Sequence, residues 1–290
     1  MRLPCITALT PLLAATLTAS PAIAQDARPA GESLPTASDD SDIITVGIAG
    51  GFMSDYEGAK HSSLTALPGA IGTVSGHDFA VIGNRASFNL IRTPDGPVWA
   101  IQAGPLASVN FNRSSRSNID NPQVRALPKR SVTVELGGYL GISKTGVLTS
   151  KHDRLSLSVS YRHDIFGEHG SAIVTPNLQY FTPLSRKTAI AAFVSADHVG
   201  NGYMDSYFNI TPADSAASGL PVYHGRAGWK NVTLGLAGTV AISGDLLHGW
   251  KLVGGGTYSR LVGDAAASPV VRDVGTPNQW LGAIGVAYTF

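Results

Sequence analysis

The last eleven residues of the chain, 280–290, alternate between large apolar and mostly small side chains. One set is Trp280, Ile284, Val286, Tyr288 and Phe290, and the other is Leu281, Ala283, Gly285, Ala287 and Thr289. Strict alternation predicts a β-strand with one apolar face, because successive side chains of a strand point to opposite sides. We therefore expect Val286 to face an apolar surrounding and Ala287 to face the other way.

A strand of this kind that stops on Phe290 resembles the C-terminal signature of bacterial outer-membrane β-barrels. In those proteins the terminal phenylalanine helps the assembly machinery to recognise its client. The alternative from this segment alone is the last strand of a soluble β-sandwich. The pattern therefore indicates an all-β fold, but it does not decide whether the apolar face packs against lipid or against a second sheet.

The first 24 residues have the pattern of a secretory signal peptide. Arg2 is basic, residues 6–17 are apolar but too short to span a bilayer as a helix, and Ala22-Ile23-Ala24 has the small residues that signal peptidase requires. Cys5, the only cysteine, lies in this segment and not at its end, so it does not fit a lipoprotein anchor. A mature chain without cysteine would hold no disulfide and no thiolate metal site.

The signal-peptide pattern predicts cleavage after Ala24, because Ala22 and Ala24 fit the small-residue pockets of signal peptidase. Intact-mass measurement on outer-membrane material tests this expectation. A mature protein that still carries Cys5, or that is acylated there, would contradict it.

Composition favours a membrane barrel among exported proteins. The chain has 33 glycines and 14% charged residues, yet residues 25–290 contain no apolar run long enough for a membrane helix. The lipid face of a barrel strand alternates with a small or polar face, which dilutes the hydropathy. Without Arg2 the chain has 20 basic and 20 acidic residues, a balance that gives no reason to expect nucleic acid as a partner.

Three segments follow from the distribution of these patterns. Residues 1–24 form the predicted signal peptide, and residues 25–42 are polar and rich in Pro, Ser and Asp, as in a flexible periplasmic tail. Alternating strand-like pieces, such as residues 155–162 and 232–240, recur from Ile43 onward and predict a barrel over residues 43–290 with very little helix.

Loop lengths predict the strand number, because both termini of a single-chain outer-membrane barrel are periplasmic and its periplasmic turns are short. From the C-terminus backwards, the expected outer segments are 260–279, 197–228, 164–169 and 112–130, and the expected inner turns are 243–248, 182–187, 144–152 and 93–97. Parity then requires residues 77–91 to form two strands around Gly83-Asn84, a good pair for a tight hairpin. This gives about twelve antiparallel strands, and ten is the alternative.

Several motifs, taken together and in order, resemble the MipA/OmpV family over nearly all of residues 43–290. They are Asp55-Tyr56-Glu57-Gly58, Tyr203-Met-Asp-Ser-Tyr207-Phe208, Ser218-Gly219-Leu-Pro221-Val-Tyr223, the segment from Tyr258 to Val271 with Asp264 and Pro269, and the final strand with Phe290. The family takes its name from a protein that interacts with a murein lytic transglycosylase. The resemblance implies an outer-membrane barrel, and for some members a scaffold between murein hydrolases and synthases.

Motifs for catalysis are weak. Gly72-Thr-Val-Ser-Gly76 has the wrong spacing for a nucleophile elbow, and the Ser-x-x-Lys and His-Glu-x-x-His patterns are absent. An outer-leaflet lipid enzyme would need Ser195 with His163, His169 or His198, but histidines in loops and at the rim of the barrel are the favoured explanation of these residues. Ordinary turn chemistry likewise explains Asp205, Asp214 and Asp264 without a bound cation.

Glu135 and Arg162 are the charged residues that alternation places toward the lumen, on two strands expected to be neighbours. They predict an ion pair in a packed polar interior, or alternatively the charged wall of a narrow pore. We therefore expect a non-catalytic barrel without cofactor that contacts outer-membrane lipid, and the family resemblance implies a periplasmic murein hydrolase or synthase as its partner. A narrow pore for small solutes is the alternative.

Overall fold

The computed structural model describes residues 42–94 and 96–290 of the chain. The predictions on the signal peptide, on Cys5 and on nearly all of the 25–42 tail lie outside these residues. The described chain contains twelve strands: β1 (Ile43–Ser54), β2 (Ser62–Val74), β3 (His77–Ile82), β4 (Arg85–Phe88), β5 (Trp99–Asn110), β6 (Thr133–Thr145), β7 (Arg154–Asp164), β8 (Ala172–Pro183), β9 (Thr188–Val199), β10 (Gly228–Ala241), β11 (Gly249–Leu261) and β12 (Asn278–Thr289).

The strands form one closed antiparallel barrel in which each strand pairs with its neighbours in sequence. Closure occurs between β1 and β12, where Thr45 lies opposite Thr289 and Phe52 opposite Gly282. The prediction of twelve strands is confirmed, and the alternative of ten is wrong. Residues 77–91 divide as expected, since β3 and β4 form a short hairpin around Gly83-Asn84.

Alternation decides which side chains face outward. In β12 the side chain of Val286 is 43% exposed, whereas Ala287 is 5% exposed and faces the lumen, as the sequence predicts. Inward glycines accommodate larger neighbours: a Cβ on Gly235 would lie 2.1 Å from the ring of Phe193 on the adjacent strand. The glycine at this position therefore makes room for an aromatic side chain inside the barrel.

The outward surface is an apolar band with aromatic residues at both edges. Exposed large apolar residues of the band include Ile48, Leu140, Leu157, Leu234 and Ile284. Aromatic residues at the edges are Tyr161, Trp229, Tyr258 and Trp280 toward one end, and Trp99, Trp250, Tyr288 and Phe290 toward the other. Trp280 and Tyr288 are eight residues apart on one strand, about 27 Å along its axis. Such a band between two aromatic girdles is the surface of a barrel that spans a bilayer.

The two ends of the barrel differ. At the short-turn end, β2–β3, β6–β7, β8–β9 and β10–β11 are joined by brief connections, and the chain enters β1 and leaves β12. At the long-loop end the connections carry five short helices: α1 (Pro122–Ala126), α2 (Asn201–Tyr207), α3 (Pro212–Ser218), α4 (Gly263–Ala267) and α5 (Pro269–Arg272). Within residues 42–94 and 96–290 no helix is long and apolar enough to cross a membrane.

Inward side chains divide the lumen into two halves. On β5 to β8 they are mostly polar and include Gln102, Glu135, Ser158, Arg162 and Asn177. On β1, β2 and β9 to β12 they are mostly apolar or small, and include Ala49, Leu67, Phe193, Ala237 and Ala283. The lumen therefore has a polar wall and an apolar wall facing each other.

Candidate functional site: the lumen and its lid

Four connections at the long-loop end, residues 55–61, 111–132, 200–227 and 262–277, fold over the lumen as a lid. Two apolar clusters hold the lid together. The first contains Ile173, Val199, Tyr203, Met204, Tyr207, Phe208, Leu261, Ala265 and Val271, and the second contains Tyr56, Ala59, Ile119, Val124, Leu127, Ile210, Leu220 and Val270. Because these side chains are at most 3% exposed, the lid is closely packed, both within itself and against the strand residues Ile173, Val199 and Leu261.

A chain of ion pairs lies beneath the lid. Arg162 Nε donates to Glu135 Oε2 at 2.7 Å, and Arg162 Nη2 lies 4.0 Å from Asp197 Oδ1. Asp197 Oδ2 is in turn 3.6 Å from Lys230 Nζ, which donates to Glu57 Oε1 at 2.5 Å. Arg162 and Lys230 are completely buried, and the three carboxylates are at most 8% exposed. Buried charges persist only when they are paired and hydrogen-bonded, as they are here.

Residues of the long-loop end bind both ends of this ion-pair chain: Tyr203 of the lid at one end, and His169 of the β7–β8 connection at the other. The hydroxyl of Tyr203 donates to Glu57 at 2.8 Å, and Lys230 Nζ lies 4.8 Å from the centre of the Tyr203 ring. At the other end, His169 Nε2 lies 3.3 Å from Glu135 Oε1. The strands of the barrel and the lid therefore share one polar network, which ties the lid to the lumen wall.

Burial shifts the pKa values of several lid groups, but it brings none of these groups near neutral pH. Burial, assisted by nearby Arg130, lowers the pKa of Arg113 to about 10, so its guanidinium is still charged at pH 7 and donates to the carbonyl of Ser206. Burial raises the pKa of Tyr56 to about 12 and raises the pKa of Tyr207 further. These groups therefore keep their charge states throughout the physiological range.

The structure brings the predicted pair Glu135 and Arg162 into direct contact, on adjacent strands β6 and β7. It also extends the network to residues that the sequence analysis missed. Asp197 lies two residues after the inward-facing Ser195 in β9, so alternation would have placed it in the lumen. Lys230 lies at an irregularity between Trp229 and Asn231 that interrupts the alternation. Such a bulge breaks the period-two alternation, so that the pattern does not mark the lysine as inward-facing.

Most residues of the family-like motifs gather in the lid. Tyr56, Tyr207 and Phe208 are buried in its two clusters. Gly58 has φ +93°, and a Cβ there would lie 2.7 Å from Cγ2 of Val271. Only glycine combines this backbone conformation with so close a contact between two lid segments.

The other motif residues shape the lid or lie far from it. Gly219 ends α3, Pro221 follows it, and Pro269 is buried at the start of α5. Asp264 Oδ2 accepts a hydrogen bond of 2.8 Å from the backbone of Arg226. Phe290 lies at the opposite end of the barrel, 66% exposed, with its ring centre 4.8 Å from that of Tyr288.

The candidate catalytic residues are dispersed. Ser195 points into the lumen, whereas His198 points outward and packs edge-on against Trp229 at 5.4 Å. His163 is also on the outer face, and His169 belongs to the polar network. The three candidate cation ligands make separate contacts: Asp214 caps α3, Asp205 binds Asn209, and Asp264 binds the backbone of Arg226. Among the described residues no group of three or more His, Cys, Asp or Glu is placed to hold a metal ion.

A family model described as MltA-interacting protein MipA matches residues 46–290. Solved structures similar to the chain include KdgM porin (TM-score 0.37, 9% identity, 85% of this chain and 99% of that chain covered) and the Pseudomonas putida toluene transporter TodX (0.34, 8%, 87% and 89%). The outer-membrane channel DcaP of Acinetobacter baumannii is also similar (0.32, 10%, 86% and 96%). No curated protein matches the chain. Structural likeness this weak carries no information on what the chain binds.

Proposed function

Since the chain belongs to the MltA-interacting protein (MipA) family, we propose that this outer-membrane barrel is a non-catalytic scaffold for a murein-processing enzyme. The enzyme of the family's name, MltA, indicates the class of partner, a murein lytic transglycosylase. The role requires a stable barrel that presents a surface to the periplasm, and it requires neither a conducting lumen nor a catalytic group.

The buried ion-pair chain beneath the lid is the observation that most supports a scaffold over the alternative, a narrow pore for small solutes. An ion that crossed this level would have to displace Arg162 and Lys230, which are completely buried among their partners. Separating buried charges is costly because each is left without compensation. The apolar wall of the lumen would also give a hydrated solute nothing to replace its lost water.

The periplasmic surface available to a partner is small but locally ordered. Asp153 accepts hydrogen bonds from the backbone amides of Val147, Leu148 and Thr149 and from the hydroxyl of Tyr180. Although burial alone would raise it, the pKa of Asp153 is held well below its usual range by these hydrogen bonds. The ordered turn presents Leu148, which is 73% exposed. We expect a contact below about 1,200 Å² that also uses residues 25–42.

Co-purification from outer membranes tests the scaffold. Deletion of residues 26–40 together with Leu148→Ser should abolish retention of the transglycosylase, because both contact surfaces are lost. Val222→Ser, which removes an exposed apolar residue (58% exposed) from the lid at the other end of the barrel, is the control and should retain the partner. All variants should keep the heat-modifiable gel mobility of a folded barrel.

Planar-bilayer recording distinguishes the alternative function. The scaffold proposal predicts no steady open-channel conductance from the purified protein. Steady conductance whose ion selectivity changes with Glu135→Lys, together with a wild-type protein that retains no murein enzyme, would establish the pore instead.

A further inference from the structure

A cavity of about 260 Å³ lies in the lumen against the apolar wall, below the level of the ion-pair chain. Its lining includes Met53, Leu67, Ile71, Phe193, Val253 and Leu281. Among the described residues that line the cavity, Arg85 is the only charged one. The cavity therefore differs in chemistry from the polar half of the same barrel.

Small inward side chains keep this space open. Ala49, Ala191, Ala237 and Ala283 line the cavity at positions where a larger apolar side chain would occupy it. A small barrel ordinarily fills its interior with side chains, and a water-filled porin has a polar interior. This wall does neither, because it borders an apolar volume that its own side chains leave unfilled.

We propose that this cavity binds a small uncharged hydrocarbon, such as a monocyclic aromatic compound or a short alkyl chain. An apolar cavity of about 150 Å³ holds benzene, so one of 260 Å³ has space for about ten carbon atoms. Burial in the cavity removes the ligand's apolar surface from water. A sugar or an ion would lose hydrogen bonds to water there without replacement.

The position of the cavity also suits a hydrocarbon. It borders the short β3–β4 hairpin, whose tip, Gly83-Asn84, contributes to its lining. Beyond this tip β2 continues from Pro68 to Ser62, and none of these residues has a ladder partner in β3 among the described residues. The outward side chain of Leu64 in this stretch is 70% exposed, on the surface that faces lipid. The cavity thus lies next to a part of the wall where β2 no longer pairs with β3, and the outer side of this part faces the lipid in which hydrocarbons dissolve.

Equilibrium dialysis of radiolabelled toluene against the full-length protein in phosphatidylcholine nanodiscs tests the proposal. Empty nanodiscs measure the unsaturable partition into lipid. Above that background we expect a saturable site that a second hydrocarbon competes for and that glucose does not. Partition equal to that of empty nanodiscs, or saturable binding of glucose instead of toluene, would overturn the proposal.

Two neighbouring alanines of β9 give a matched pair of variants. Ala191 points into the cavity, whereas Ala192 is exposed on the outer face. Ala191→Leu fills the site and should weaken toluene binding about tenfold or more, while Ala192→Leu should leave it unchanged. Equal effects of the two variants would contradict the assignment.

A third variant guards against misfolding of Ala191→Leu. Phe193→Ala enlarges the cavity, so it should shift preference from toluene toward a larger hydrocarbon such as naphthalene. An unchanged preference in a folded Phe193→Ala barrel would also count against the site. Loss of hydrocarbon binding would leave the scaffold proposal intact, because the scaffold uses periplasmic turns and not the lumen.

Discussion

Arg162→Met is expected to lower the free energy of unfolding by about 3–5 kcal/mol. The guanidinium is completely buried, donates to Glu135 at 2.7 Å and to Thr175 Oγ1 at 3.0 Å, and lies 4.0 Å from Asp197. Methionine fills a similar space but leaves two buried carboxylates without this cation. Urea unfolding of the barrel in liposomes measures the loss.

The Arg272–Asp273 pair provides a matched control for this variant. It has the same nitrogen-to-oxygen distance, 2.7 Å, but the side chain of Arg272 is 55% exposed. Arg272→Met should therefore change the unfolding midpoint little, since water screens surface pairs. The double variant Arg162→Met with Glu135→Gln should recover part of the loss, because it removes one of the two buried carboxylate charges that Arg162 no longer compensates. Equal midpoints for Arg162→Met and Arg272→Met would show that the buried network contributes nothing.

Ile284→Arg is expected to destabilise the barrel in a bilayer by about 2–4 kcal/mol. Ile284 is 63% exposed and lies four residues from Trp280 in one aromatic girdle and four from Tyr288 in the other. It therefore lies near the middle of the apolar band, where an outward charge costs most.

The same strand offers graded controls. Val286→Arg should cost less than Ile284→Arg, because Val286 is only two residues from Tyr288 and its arginine can reach the interface. Ala287→Ser should cost least, since Ala287 faces the lumen. Liposome folding titrations in which all three variants share one midpoint would contradict the placement of the band.

The scaffold and hydrocarbon proposals concern different parts of the molecule. The scaffold depends on the turn around Leu148 and on the N-terminal segment, whereas the cavity depends on the apolar wall of the lumen. The lid with its ion-pair chain is consistent with both proposals. It covers the long-loop end of the lumen above the cavity, and its buried ion pairs block the path that an ion would take.

The amino-acid sequence by itself determined the strands, their faces and their number. Alternation is a local property, so Val286 and Ala287 could be assigned to opposite faces from their immediate neighbours. The Gly83-Asn84 hairpin was equally accessible, because a tight turn is specified by the residues within it. Parity of long and short connections then led to twelve strands.

The polar network could be predicted only in part. Glu135 and Arg162 are on consecutive strands, so alternation and strand order were enough to propose their contact. Lys230 and Glu57 are separated by 173 residues, and a bulge next to Lys230 interrupts the pattern that would have marked it as inward. The sequence contained no signal that these two residues meet.

Only the tertiary structure decided what the lumen and the lid contain. Which inward side chains share one level depends on the stagger that closes β1 against β12, and this stagger involves residues more than 200 positions apart. The lid likewise forms because four distant connections bury their apolar side chains against one another. Local periodicity specifies the direction of a side chain, but the partner that it meets is set by closure of the barrel and by burial of apolar surface between segments that are remote in sequence.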